Sequence, residues 1–351
     1  MIPCLFNSDA ISFNTNGLGT LKQCIKCNVI QELGSSGVYE LEMDILADDP
    51  LFQFIQVGNI IGCYPNLTGE PQGFVIEQIS KPIDNLVSVY ATHIAQHRAK
   101  LIPVANFNAN NLQDALSKIA TNSLETNPFS LTSNRSVATS YSIATPRSFR
   151  DILGGKEGSL LDVYGGEYIF NNFSIQLVAK RGRNNGVQIL YGQNMTEFDM
   201  KEEFDWDQTI TGIMPYWYTE DDGLVQGSIQ YSDYVNYFKY HKTIVKDYTD
   251  EFENQPSAND LNTIAAADVK NLGFPRKNIK VAFNQFEEKI IGDVNIMQLG
   301  DTVTIINPNY DVNMTSRIVS MDFNVLSEQY NEIQVGEIEQ TINQAIAEVK
   351  M

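Results

Sequence analysis

The sequence predicts an α+β protein that is mainly β and consists of several domains. Its 351 residues are enough for about two to four domains, and a hydrophobic content of 43% is ample for packed cores. Most segments alternate polar and apolar residues, which is typical of half-buried antiparallel strands. A pattern centred on a glycine recurs far apart in the chain, and this recurrence predicts two related β domains.

Residues 1–95 are predicted to form a small antiparallel barrel or sandwich. The segment 37–46 (GVYELEMDIL) places apolar side chains on one face and acidic side chains on the other. Residues 57–65, 73–80 and 86–93 predict three further strands, of which the last two form a hairpin. The acidic side chains of this segment are Glu40, Glu42 and Asp44.

Residues 96–192 are predicted to form an α+β lobe. Apolar residues at helical spacing indicate a helix at 111–120, and Thr145 is a suitable N-cap for a second helix. The polar segment 121–145 predicts a long loop. Alternating patterns predict strands at 166–180 and 186–192.

The second barrel is predicted to comprise residues 193–220 and 276–336. The intervening residues 221–275 form an inserted lobe with a helix that stops at Gly273, and 337–351 form a C-terminal helix.

The two barrels share one spacing. Residues 57–59 (VGN) precede a strand, and Ile76 lies 18 residues after their glycine. Residues 299–301 (LGD) also precede a strand, and Ile318 lies 18 residues after theirs. A strand, a turn and a strand follow each time, which favours an internal duplication.

The overall charge restricts the possible partners. The net charge is −19, with 43 acidic and 24 basic residues, so the surface repels phosphate backbones and tight nucleic-acid binding is not expected. An acidic wall would instead let DNA pass without sticking. No apolar run approaches the roughly 18 residues of a membrane span, and the N-terminus lacks the basic and apolar regions of a secretory signal. We expect no membrane insertion and folding in a cytoplasm.

One segment is strongly basic. Lys180, Arg181 and Arg183 precede Asn-Asn-Gly at 184–186, and alternating residues flank them, which predicts a β-hairpin with a basic tip. Two readings stay open. The arginines are surface charges or pair with acids of their own domain, or Arg181 and Arg183 contact an acidic neighbouring subunit.

The sequence contains no motif that predicts a catalytic or metal site. Cys24 and Cys27 match CxxC, but on a strand positions three apart face opposite sides, so Cys27 is predicted to be a core residue. His93 and His97 are four apart without the glutamate of a zinc-protease motif, and are predicted to lie in a linker. No Gly-x-Ser-x-Gly motif surrounds a candidate nucleophile, so we expect no catalysis. We also expect no metal and no cofactor.

The C-terminal segment carries apolar residues spaced four, three and four apart. This spacing predicts a short coiled-coil seam that favours three strands, although an amphipathic helix packed on its own chain is the alternative. The seam candidates at the subunit interface are Ile338, Ile342 and Val349, with Ala345 between them.

Three parts of the chain resemble a known family. They are residues 24–45 with 91–97, residues 152–194, and residues 299–308. The middle part is the most specific, because it combines Gly-Gly-Glu at 165–167, Arg-Gly-x-Asn-x-Gly-Val at 181–187 and Tyr-Gly-x-Asn at 191–194. These stretches resemble phage tail-tip proteins known as minor structural protein, prophage endopeptidase tail or tail-associated lysin N-terminal region.

The resemblance implies a multidomain baseplate hub with two tube-type barrels and two α+β lobes. Such proteins form homotrimers, and three chains with two barrels each make a ring that continues the tail tube and docks on the distal tail protein. The tape-measure protein and receptor-binding or fibre proteins are further implied partners. The implied location is the virion tail tip, after assembly in the host cytoplasm. For a ring that encloses the DNA path, the channel-lining candidates are Glu40, Glu42, Asp44 and Asp301.

Two other functions remain open. Many relatives continue into a peptidoglycan hydrolase, so a tail-associated cell-wall endopeptidase is the first alternative, although this sequence stops at residue 351. A carbohydrate-binding receptor protein is the second, because aromatic residues cluster at 216–218 and at four tyrosines spaced three apart. That spacing is close to helical and favours a packing role for Tyr231, Tyr234, Tyr237 and Tyr240.

Overall fold

The computed structural model describes residues 1–34, 37–190, 197–203, 210–252, 254–272, 276–282, 297–310 and 312–336. The chain divides into two compact units. The first comprises Met1–Met200 and Ile279–Glu339, and the second comprises Lys201–Asn278 and Gln340–Met351. The predicted α+β, mainly β composition is confirmed. The C-terminal candidates Ile338, Ile342 and Val349 lie outside the described residues.

The N-terminal part of the first unit is an antiparallel sheet whose strands alternate as the sequence predicts. Its strands lie in the order β3-β4-β7-β6-β5-β1-β2. The elements are β1 (Cys4–Phe6), β2 (Gly19–Thr20), β3 (Cys24–Glu32), β4 (Tyr39–Leu46), β5 (Ile60–Cys63), β6 (Gln72–Ile79), β7 (Leu86–His93) and the helix α1 (Ile94–Ala99).

A lobe with its own apolar core follows. Its helices begin at Asn111, Ser148 and Ser159, whose side chains each accept a backbone N–H of the first turn. The predicted long loop at 121–145 is wrong in part, because it contains two short strands. The elements are β8 (Pro103–Val104), β9 (Phe107–Ala109), α2 (Leu112–Thr121), β10 (Ser130–Ser133), β11 (Tyr141–Ile143), β12 (Arg147–Ser148), α3 (Phe149–Leu153), α4 (Leu160–Tyr164), β13 (Glu167–Asn171) and β14 (Ser174–Val178).

The chain then returns to the main sheet through β15 (Asn184–Leu190) and β16 (Glu197–Glu203). The second unit contains β17 (Gly212–Thr219), β18 (Gly223–Gln226), β19 (Gln230–Tyr231), β20 (Thr243–Asp247) and α5 (Ala258–Leu272). Strand β17 pairs with β18, β19 and β20, so these residues do not join the second barrel as the sequence-based boundary at 220 implied. The predicted helix is present as α5, and its buried Leu261 and Val269 pack near Trp217.

The last strands of the main sheet are β21 (Arg276–Ala282), β22 (Thr302–Asn307), β23 (Val312–Asn324) and β24 (Gln329–Gly336). Single turns of 3₁₀ helix lie at Phe52–Phe54, Val235–Tyr237, Thr249–Glu251 and Pro308–Tyr310.

The main sheet contains the same strand arrangement twice. We call β3–β7 the first repeat, with the order β3-β4-β7-β6-β5, and β16 with β21–β24 the second repeat, with the order β16-β21-β24-β23-β22. Each repeat has an irregularity of one extra residue at the same place, after Ile76 in β6 and after Ile318 in β23.

The recurring glycine turns also have the same hydrogen bonds. The N–H of Gly58 donates to the Ile76 carbonyl at 2.9 Å, and the N–H of Gly300 donates to the Ile318 carbonyl at 2.9 Å. Both glycines have positive φ, +92° and +91°. The repeat predicted from these two turns is therefore present in strand order, irregularity and turn geometry.

The two repeats are joined directly by β3 and β23, which pair antiparallel from Glu32 opposite Ser320 to Asn28 opposite Asn324. The result is a single 13-stranded sheet. Within the described residues this sheet is open, and neither repeat closes into a separate barrel. The core beneath the sheet is shared, since Leu41 and Val89 of one repeat and Phe323 and Ile333 of the other belong to one buried cluster.

Candidate functional site

The predicted acidic face of β4 is present. Glu42 is exposed and Glu40 and Asp44 are half-buried, whereas the alternating Leu41 and Met43 are buried. Strand alternation explains this arrangement, because successive side chains point to opposite sides of a sheet. Three of the predicted channel candidates therefore share one surface.

The acidic surface continues across neighbouring strands of both repeats. Glu42 lies opposite Tyr90 of β7 and opposite Asn28 of β3. Asp322 of β23 follows next to β3, and Glu332 of β24 lies opposite Asp322. We call this surface the acidic face, and its carboxylates are Glu40, Glu42, Asp44, Asp322 and Glu332. Over the first repeat it forms a groove of about 460 Å³ lined by Lys26, Glu42, Asp44, Gln78, Ser88 and Tyr90.

Hydrogen bonds hold the charges of the acidic face in place. Lys26 Nζ lies 2.9 Å from Glu42 Oε2, and Ser88 Oγ donates to Asp44 Oδ1 at 2.7 Å. The hydrogen bond to Glu42 raises the pKa of Lys26, and the nearby carboxylates of Asp44 and Asp322 raise it further. Lys26 is therefore fully charged at neutral pH but offsets only part of the negative charge.

Burial and neighbouring carboxylates together raise the pKa of two groups on the acidic face. Burial raises the pKa of Asp322, and the Glu42 carboxylate adds to this increase. Burial also raises the pKa of Tyr90 to about 12, with a hydrogen bond to Glu40 as the next cause. Both changes are expected for acidic groups that are partly buried beside other carboxylates.

The predicted basic hairpin is wrong. Residues 179–183 connect β14 to β15, but β14 pairs with β13 and β10, whereas β15 runs parallel to β22. The segment is held by two acidic side chains of the same unit, Glu167 and Asp301, and we call it the clasp. The signal that the sequence offered, Asn-Asn-Gly between alternating runs, is common to hairpins and to other turns.

Asp301 binds the clasp from one side. Its Oδ1 accepts the backbone N–H of Arg183 at 2.7 Å, and its Oδ2 accepts the N–H of Gln298 at 3.0 Å and the amide of Asn185 at 3.2 Å. Asp301 is only 4% exposed. Its carboxylate is engaged inside the first unit and does not share the acidic face with the other channel candidates.

Glu167 binds the clasp from the other side. Its Oε2 accepts the backbone N–H of Arg181 at 2.7 Å, and Arg317 donates to both carboxylate oxygens at 2.8 and 2.9 Å. Arg317 Nη2 also donates to the Arg181 carbonyl at 2.8 Å. Arg181 is half-buried and its Nη1 donates to the Tyr168 carbonyl at 3.3 Å, while the side chain of Arg183 is exposed. Acids of the same unit therefore hold the backbone beside both arginines.

His93 and Cys27 have packing roles. The predicted linker is wrong, because His93 ends β7 and His97 lies in α1. His93 is buried, stacks on Tyr39 at 4.2 Å and shares a 3.1 Å hydrogen bond with Gln72, and burial lowers its pKa to about 3. Cys27 is buried as predicted, but an irregularity between Cys24 and Lys26 turns the Cys24 thiol to the same side, so the opposite-face argument is wrong. In the described part of the chain, no group of three or more His, Cys, Asp or Glu could hold a metal ion.

The aromatic candidates lie in the second unit. Trp217 is buried there, whereas Tyr218 is 51% exposed and Tyr216 donates to Asp247 at 2.9 Å. The tyrosines spaced three apart do not share an α-helix, since Tyr231 lies in β19 and Tyr237 in a turn of 3₁₀ helix. The predicted packing role is wrong for the exposed Tyr231, Tyr234 and Tyr240. Among the described helices, none is long and apolar enough to cross a membrane.

Comparison with known proteins confirms the resemblance. A family model described as prophage endopeptidase tail matches residues 183–346. The fold resembles the prophage tail protein gp18 from Listeria monocytogenes EGD-e, with a TM-score of 0.63, 14% identity, and coverage of 96% of this chain and 94% of that chain. Among curated proteins, no sequence matches this chain.

Two further solved structures share the fold. The 43 kDa tail protein of prophage MuSo2 from Shewanella oneidensis has a TM-score of 0.59 and 12% identity, covering 89% of this chain and 93% of that chain. The tail protein from Neisseria meningitidis MC58 has a TM-score of 0.59 and 10% identity, covering 96% of both chains. The family match and the shared fold together support a structural component of a phage tail.

Proposed function

We propose that this chain is the structural hub of a phage or prophage tail tip, a homotrimer that extends the tail tube and lets DNA pass. The observation that carries the proposal is the acidic face, which runs over strands of both repeats. Carboxylates on a wall repel the phosphates of DNA. Such a wall keeps DNA in transit from adhering to the protein.

The internal repeat supports the trimer. The resemblance implies a hexameric tail tube, so a trimeric adaptor needs two similar repeats in each chain. The two repeats have the same strand order and the same glycine turn, which suits this role. A closed cyclic assembly of this kind uses head-to-tail interfaces.

We propose that the partners are the tail tube, the distal tail protein and the tape-measure protein, with receptor-binding or fibre proteins outside the ring. The exposed Arg183 at the end of the clasp is a candidate for contact with an acidic neighbour. We assign no catalysis to this chain, although the name of the matching family includes an endopeptidase. Lysis of purified peptidoglycan by the isolated chain would favour that alternative.

The location is tested by antibody labelling of purified tails in the electron microscope. We expect label at the end of the tail distal to the capsid, or at one end of a free tail. Label along the whole tube, or none on intact tails, would contradict the proposal. Antibody against a tube protein is the control, since it must label the length of the same tails.

A further inference from the structure

The sheet contains an edge in the first repeat that is covered in the second. In the second repeat, the C-terminal half of β23 pairs with β24 on one side and with β3 on the other. In the first repeat, the corresponding half of β6 pairs with β7, and on its other side β5 reaches only to Val75. In the described part of the chain, no strand lies beside Gln78 and Ile79 on that second side.

Apolar side chains mark the open edge. The residue before each glycine turn is Val57 in the first repeat and Leu299 in the second, and their exposures are 67% and 3%. Ile79 corresponds to Met321 by its place after the irregularity, and it is half-buried where Met321 is 5% exposed.

The turn after the edge repeats the contrast. Ile83 lies seven residues beyond Ile76, as Val325 lies seven beyond Ile318, and their exposures are 73% and 0%. Val325 is held to β3, since its N–H donates to the Cys27 carbonyl at 2.8 Å. The first repeat thus exposes apolar side chains at positions that are buried in the second repeat, and β3 lies beside two of those buried residues, Met321 and Val325.

The strand that would cover this edge is identified by the repeat itself. β3 lies next to β4 and covers β23 of the other repeat. β16 lies next to β21 as β3 lies next to β4, and in the described chain β16 ends the sheet with its outer side unpaired. Unpaired strand edges with apolar neighbours are sites where a further strand adds.

We propose that β16 of one copy pairs with β6 of the next copy, beside Val57, Ile79 and Ile83. This contact between chains repeats the contact of β3 with β23 inside each chain. The interface is head-to-tail, so a ring closes when every β16 has met a β6 edge. The proposal deepens the proposed function, because it assigns the residues that join the trimer.

The first test disrupts the β6 side. The variant carrying Val57→Asp and Ile83→Asp places charges where the second repeat buries Leu299 and Val325. Light scattering of the wild-type chain should give three times the chain mass of 39.4 kDa, and the variant should give one chain mass with an unchanged circular dichroism spectrum. The matched control carries Ile11→Asp and Leu101→Asp, which are 76% and 64% exposed elsewhere, and should keep the wild-type mass.

The second test uses the direction of the interface. Met200→Pro in β16 removes a backbone donor and should also give a single chain alone. We call the variant with Val57→Asp and Ile83→Asp the β6-edge variant. Mixed with it, the Met200→Pro variant should form a complex of two chains, because it keeps an intact β6 edge and the β6-edge variant keeps an intact β16. If Met200→Pro fails to fold, the β6-edge variant still decides.

Three results would overturn the pairing: a wild-type chain that stays single, a β6-edge variant that keeps the wild-type mass, or folded variants that do not combine. Labelling of tails is independent of these masses. A chain that assembles as expected but is absent from tails would overturn the function and leave the pairing intact.

Discussion

Gly182 of the clasp and Gly300 of the second glycine turn lie backbone against backbone. A Cβ on Gly182 would be 2.0 Å from the carbonyl carbon of Gly300, and a Cβ on Gly300 would be 2.8 Å from the Arg181 carbonyl oxygen. Both have positive φ, +88° and +91°. The clasp can lie on the second repeat because neither residue has a side chain.

We predict that Gly300→Ala destabilises the protein more than Gly58→Ala does. The two glycines have the same φ, so each substitution loses about 1–2 kcal/mol to backbone strain. Only Gly300 has the clasp against it, and the clash should cost about 2 kcal/mol more. Urea unfolding measures both. Equal losses in the free energy of unfolding would mean that an added Cβ at Gly300 does not clash with the clasp.

Glu167→Gln should reduce the free energy of unfolding by about 3–5 kcal/mol, because it leaves the largely buried Arg317 without its carboxylate. The side chains of Arg317 and Glu167 are 13% and 11% exposed. The control is Lys156→Ala, which breaks a 2.8 Å pair with Asp151 at a lysine that is 60% exposed, and should cost less than about 1 kcal/mol. Similar losses in the two variants would contradict a stabilising role for the buried pair.

Acid should destabilise the first unit through His93. Its pKa is about 3 in the folded chain against 6.5 for an ordinary histidine, so below pH 6.5 the unfolded chain binds a proton that the folded chain does not. Stability is therefore fully present above pH 6.5 and falls as the pH drops towards 3. Between pH 7 and 5 the expected loss is about 2 kcal/mol.

His93→Asn tests this dependence, since asparagine keeps an acceptor for the Ala95 N–H that His93 now binds at 3.3 Å. The variant should lose less stability than the wild type over the same pH range, while His241→Gln should follow the wild type. Parallel curves for the wild type and His93→Asn would show that other groups cause the acid sensitivity.

Reversing the acidic face should create DNA binding. A variant with Glu40, Glu42 and Asp44 changed to lysine should retard duplex DNA in a gel at low salt, and the retardation should weaken as salt rises. The control changes Glu220, Asp221 and Asp233 of the second unit to lysine, which alters the net charge by the same amount. Equal retardation by both variants would mean that total charge alone decides.

Local patterns in the sequence predicted much of the first repeat and of the acidic face. Alternation over a half-buried strand is a strong signal, and it correctly placed Glu40, Glu42 and Asp44 on one side. The recurring turns at Gly58 and Gly300 could also be predicted, because a turn that needs a positive φ usually has glycine at that position.

Contacts between segments that are far apart in the sequence could not be predicted from local patterns. The clasp looked like a hairpin because nothing in its own residues reveals that Asp301, more than a hundred positions later, binds the Arg183 N–H. The CxxC argument failed because one irregularity in β3 reverses the side to which Cys24 points. Asp322 and Glu332 joined the acidic face only through the pairing of β23 with β3.

The most direct measurement of the central claim is an electron cryomicroscopy reconstruction of the tail tip with this chain in place. The account predicts three copies around the tail axis, with Glu40, Glu42 and Asp44 facing the channel through which DNA passes. A ring in which these carboxylates face outward, or a channel wall that is mainly basic, would contradict it.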